Sequence, residues 1–165
     1  MSEDFMSKSI EKVLYAVDLG ENAKQALSMA LHLVKTHKAK LILLHVVEPL
    51  RSSAMDSVAM YFPQESLKEL HERSIEEVKD NIDKQIKDLY SEQINSELPD
   101  KNFEIHVLSG VPAPTIIKTA VKMDVDLVVM GSHSHGTLDN LFLGSVANKV
   151  VNRSTKPVLL VPINS

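Results

Sequence analysis

The sequence predicts an α/β fold: one domain, an open and mostly parallel five-stranded sheet in the order 3-2-1-4-5, with helices on both faces. Three observations carry that expectation. Short apolar runs with β-branched residues recur along the chain and read as strands buried on both faces. Amphipathic helical periods lie between them, so that five strands alternate with four helices. The first and fourth apolar runs end in Asp18 and Gly131, at the carboxyl ends of strands, where doubly wound sheets bind their ligands.

Residues 1–10 read as a loose leader. Residues 12–18 are an apolar strand that ends in the Asp18 carboxylate, and residues 19–22 turn the chain. Apolar positions 23, 26, 27, 30, 31 and 34 then follow the i, i+3, i+4, i+7 pattern of an amphipathic helix to about residue 37. Residues 40–47 form a second buried strand. The strand twist lets the helix pack back only one way, so this βαβ unit is right-handed. Residues 48–64 carry Pro49, Met55, Met60, Tyr61, Phe62 and Pro63 without a sustained period, and read as a long loop over the carboxyl edge of the sheet. Loops beyond about 12–15 residues are usually lids, binding loops or disordered segments.

A charged helix is expected over residues 65–97, with Leu67, Leu70, Ile75, Val78, Ile82, Ile86 and Leu89 on one stripe and the charges solvated. Residues 103–108 alternate apolar and polar, as a half-exposed strand near an edge does. Gly110 turns the chain into a short helix whose first turn accommodates Pro112 and Pro114. A strand over 126–130, a glycine loop, a helix through Val146 and a last strand from Pro157 to Val161 complete the chain.

With 165 residues and 44% hydrophobic content, the chain can bury roughly two-thirds of its unfolded surface in one core. The expected domain spans residues 1–165. Its 18 basic and 22 acidic side chains leave a formal charge of −4, so no global field favours nucleic acid or an anionic membrane. An anion must be held locally, by oriented backbone groups. The absence of cysteine removes disulfides, thiolate catalysis and cysteine metal sites. The acidic, polar start has no apolar signal region, and no apolar run approaches the ~20 residues of a membrane span. These features read as cytoplasmic.

From Gly131 to Gly136 the residues are small or polar, so the backbone can turn sharply and approach a ligand closely. Gly144 and Ser145 open the next helix, with Ser145 expected as its N-cap. Free N–H groups and the positive end of the helix dipole there would meet a phosphate. Two glycines and Thr137 imitate a P-loop, but the lysine of that motif is missing, and a Gly-x-Gly-x-x-Gly fingerprint is absent too. A Walker-type NTPase and a dinucleotide dehydrogenase are therefore rejected.

The stretch resembles the universal stress protein family, whose nucleotide-binding members carry Gly-x2-Gly-x9-Gly-Ser/Thr after the fourth strand. Gly131, Gly144 and Ser145 match that frame, and Ser134 stands where the second glycine belongs. Tyr-Ala-Val-Asp-Leu after the first strand, Leu-Leu-His-Val-Val-Glu-Pro after the second and Lys-Pro-Val-Leu-Leu-Val-Pro near the end are also similar to the family, in order. The resemblance implies an adenine nucleotide, ATP or else AMP or ADP, with or without Mg2+. It sets Asp18 and Val46 beside the adenine and ribose, Met130 and Gly131 under the nucleotide, and Ser134, Gly144, Ser145 and Val146 around the phosphates. It further implies a homodimer through the edge strand from Pro157 to Val161, an apolar edge of the kind that invites pairing.

Each site residue has a plainer reading. Asp18 can simply end a strand or cap the next helix. Serine at position 134 costs of order 1 kcal/mol or more if a positive φ is required there, and serves if only its N–H is used. His133 and His135 lack a third ligand for a metal, and His45 and His106 read as hydrogen-bonded strand residues. Ser145 has no recognisable base to make it a nucleophile. No catalytic residue and no metal site are assigned, and any ATP hydrolysis should be slow. The expected function is that of an adenine-nucleotide-binding stress-response regulator with an unidentified protein partner. The alternative is a nucleotide-free dimeric interaction protein with a degenerate site.

Overall fold

The computed structural model describes residues 9–18, 23–48, 63–94, 102–132 and 143–163. Most of the leader and of the 48–64 loop lies outside the described residues, as do His133, Ser134, His135 and Gly136. The elements run β1 (Lys12–Ala16), α1 (Ala23–His37), β2 (Lys40–Val47), α2 (Gln64–Ile94), β3 (Phe103–Ser109), α3 (Pro112–Lys122), β4 (Leu127–Gly131), α4 (Ser145–Arg153) and β5 (Val158–Val161). The sheet order is β3-β2-β1-β4-β5, and every pairing is parallel. The order read from the sequence therefore holds.

Because side chains alternate along a strand, each central strand feeds two cores. Val13, Tyr15, Leu41, Leu43 and Val129 pack on one face against Ala26 and Ala30 of α1 and Ile82 of α2. Leu14, Ile42, Leu44, Val128 and Met130 pack on the other against Ile116 and Ala120 of α3 and Ala147 and Val150 of α4. This double burial is why those strands read as continuous apolar runs.

Four expectations shift. β1 stops at Ala16 rather than at Asp18, although the Val17 N–H still donates to the Leu44 carbonyl at 2.8 Å. β4 starts at Leu127, because the Asp126 carboxylate is used to accept the N–H groups of Glu11 and Lys12 at 2.9 and 3.0 Å. β5 starts at Val158, since Pro157 has no N–H and contributes only its carbonyl, to Val128 N–H at 2.9 Å. The apolar stripe of α2 is broken at Leu70, and the side chains of Ile86 and Leu89 lie outside the described residues. Ile75, Val78 and Ile82 pack on the core, whereas Leu70 is 58% exposed. A 31-residue helix is about 46 Å long, roughly twice the reach of the strand it lies on, so its amino-terminal turns overhang.

β3 is the half-exposed edge strand its alternation predicted. Its Glu104 pairs with Lys40, and His106 Nε2 lies 3.1 Å from the other Glu104 oxygen. The hydrogen bond from Lys40, followed by that from His106, holds the Glu104 carboxyl below its ordinary value.

Gly110 makes the turn from β3 into α3, its N–H donating to the Val47 carbonyl at 3.0 Å. Its φ is +157°, and a Cβ there would stand 2.6 Å from Thr115 Oγ1. Thr115 is β-branched and stiff within a helix, so it yields poorly. Gly110→Ala should destabilise the fold by about 1–3 kcal/mol. Denaturant unfolding checks this, and an unchanged midpoint would refute it.

Candidate functional site

The carboxyl ends of β1, β2 and β4 meet the amino-terminal turns of α3 and α4 around a cavity of about 170 Å3. Five of the residues singled out in the sequence, Asp18, Val46, Met130, Gly131 and Val146, line it. Their convergence follows from topology. β1 and β4 are neighbours with Leu14 opposite Val128, so residues just beyond their ends face one crevice. Gly144 and Ser145 directly precede Val146 in the chain; Gly144 is buried and Ser145 exposed. Ser134, the fourth position of the motif, lies outside the described residues.

Ser145 is not the N-cap. Gly144 occupies that position, with φ −55° and ψ 150°, and no side chain caps the helix. The Gly144 carbonyl accepts the Asn148 N–H at 2.9 Å, while its own N–H donates to the Ser132 carbonyl at 2.8 Å. That second bond ties the start of α4 to the end of β4. The N–H groups of Ser145, Val146 and Ala147 stand in the first turn, where a helix supplies no acceptor. Val146 and Ala147 border the cavity.

The walls are chiefly apolar. Asp18 contributes a carboxylate, and it acts on Tyr15, whose side chain is 1% exposed. Burial first, and then the Asp18 charge, push the Tyr15 phenol well above its ordinary value. An unfolded tyrosine ionises near pH 10, so the stability held by neutral Tyr15 is complete below that pH. Above it, stability should fall by about 1.4 kcal/mol per pH unit as the unfolded chain alone releases the proton. Unfolding measured at several alkaline pH values should show this slope in the wild type and lose it in Tyr15→Phe.

His45 Nδ1 lies 3.0 Å from the Val17 carbonyl, so this histidine, like His106, is a hydrogen-bonded strand residue. Among the described residues no group of three or more metal-ligating side chains is found, and no helix is long and apolar enough to cross a membrane. Sequence reasoning missed Ala26, Ile116, Ala147 and Ile163, which also line the cavity. Ile116 and Ala147 could have been found, because helix starts at the carboxyl edge of the sheet face the crevice. So could Ala26, the fourth residue of α1, which follows the carboxyl end of β1; Ile163 carries no local signal.

Residues 9–162 match the model of the universal stress protein family. The chain belongs to that family. It is 34% identical over 159 residues to universal stress protein MJ0577 of Methanocaldococcus jannaschii, covering 94% of this chain and 97% of that one. A solved structure of MJ0577 superposes with a TM-score of 0.71 at 28% identity, covering 96% of this chain and 99% of that one. A universal stress protein solved in complex with cAMP shares the fold at TM-score 0.59 and 19% identity, over 95% of this chain and 100% of that one. One from Archaeoglobus fulgidus in complex with dAMP does so at 0.52 and 18%, over 92% and 96%.

Proposed function

We propose that this chain is a cytoplasmic regulator that binds an adenine nucleotide, ATP or a lower phosphate, in the cavity at the carboxyl edge of its sheet. The observation that carries this reading is the meeting of Asp18, Val46, Met130, Gly131 and Val146 around one apolar cavity, against the first turn of α4. The apolar part suits a flat aromatic base. Its volume of about 170 Å3 is below the roughly 300–1,000 Å3 of pockets that enclose a whole drug-sized ligand. A base would fill it, with ribose and phosphates at the mouth. Asp18 would repel phosphate but accepts hydrogen bonds from a ribose hydroxyl or an exocyclic amine. The first-turn N–H groups and dipole of α4, with Gly144 and Ser145, suit the phosphates, and Ser134 is assigned to them from its place in the sequence motif. Mg2+ would act on the phosphates alone. The cAMP and dAMP complexes of proteins with this fold point to the same ligand class.

No general base or catalytic lysine is assigned, so the role is one of binding and switching. The homodimer is proposed through β5, whose Val158, Leu159 and Leu160 are only half-buried at the sheet edge. Ser134 at a motif glycine favours one second reading, a dimeric interaction protein with no nucleotide. The test is to purify the protein without added nucleotide, denature it, identify any released molecule by mass spectrometry, and then titrate ATP with and without Mg2+. Co-purified nucleotide or saturable binding supports the first reading; neither supports the second.

A further inference from the structure

Ile163 lies two residues past β5 and is 9% exposed, yet it is the one buried apolar side chain among the described residues that belongs to neither core cluster. It lines the cavity instead, beside Met130, Gly131 and Ala147. Its place is held from β4. Ser132 N–H donates to the Val161 carbonyl at 2.9 Å, and the Ile163 N–H donates back to Ser132 Oγ at 3.4 Å. Ser132 also accepts the Gly144 N–H through its carbonyl, at 2.8 Å. One residue therefore joins the end of β4, the segment after β5 and the start of α4.

We propose that Ile163 is an apolar, affinity-determining wall of the ligand cavity, contacting the aromatic base, and that Ser132 is the positioning residue that holds it there. This rests on the adenine-nucleotide reading. Its chemistry is apolar and directed at the base, because an isoleucine side chain offers a purine ring dispersion contact and exclusion of water, and offers phosphate nothing. Ile163 should therefore contribute equally to binding of adenosine, AMP and ATP, whereas groups around α4 should discriminate among them.

The experiment titrates adenosine, AMP and ATP into wild type, Ile163→Ala, Ile163→Val and Ser132→Ala, with thermal unfolding of each as a check on folding. Ile163→Ala should weaken all three ligands by a common factor of about ten to thirty. Ile163→Val should restore most of the loss, and Ser132→Ala should reproduce part of it while its unfolding stays close to wild type. Wild-type affinity in Ile163→Ala overturns the inference and leaves the nucleotide reading intact. A loss confined to ATP also overturns it, by moving the contact to the phosphates. Failure of the wild type to bind any of the three overturns both. If Ile163→Ala does not fold, Ser132→Ala decides: unchanged affinity for all three ligands overturns the proposal.

Discussion

Gly144→Val is expected to abolish nucleotide binding, a loss beyond about a hundredfold, or ~2.7 kcal/mol, while the fold and the proposed dimer persist. Backbone strain is not the cause, because φ −55° and ψ 150° are open to any L residue. The cause is volume and capping. Gly144 is buried between the end of β4 and the first turn of α4, with its N–H on the Ser132 carbonyl. A branched side chain at this buried position has to be accommodated between those segments, and valine is a poor N-cap. Either change moves the first-turn N–H groups away from the position a phosphate needs. Gly144→Ala should fall between wild type and valine. Isothermal titration with ATP, read beside solution mass, checks this; wild-type affinity in the valine variant would remove the phosphate site from the start of α4.

Asp18→Asn should lower affinity for adenosine and for ATP alike, by roughly ten- to a hundredfold, the range for losing a hydrogen bond to a charged acceptor. Asparagine keeps the size of the side chain, so the charge is what changes. If Asp18 faced phosphate, the substitution would relieve repulsion and strengthen ATP binding relative to adenosine. The sign of that difference separates the two placements. Unchanged affinity for both ligands would leave Asp18 without a ligand role.

The fold was legible to an unusual depth because its cues are local. Double-sided burial makes β1, β2 and β4 continuous apolar runs, and α1 shows its packed face as a simple period, so the bounds of α1 and β2 come out residue for residue. The errors also have local causes. The Asp126 carboxylate binds two backbone N–H groups rather than extending β4, and Pro157 cannot donate to the sheet ladder. Ser145 carries the better capping side chain, but Gly144 takes the N-cap because its N–H is drawn to the Ser132 carbonyl. Leu70 keeps helical period with the packed residues of α2 but overhangs the sheet.

The candidate site divides in the same way. Asp18, Gly131 and Val146 stand out in the sequence because strand ends and helix starts are written in neighbouring residues. That they share one cavity depends on β1 and β4 being adjacent, a pairing between residues more than a hundred positions apart. Ile163 has no sequence mark at all. Ile163 reaches the cavity only because β5 pairs with β4 so that Val161 lies opposite Gly131, and Ser132 then captures the backbone beyond it. Order and type of elements follow from patterns spanning a few residues, so the chain alone determines them. Cavity membership follows from strand register and long-range hydrogen bonds, which exist only once the sheet has formed.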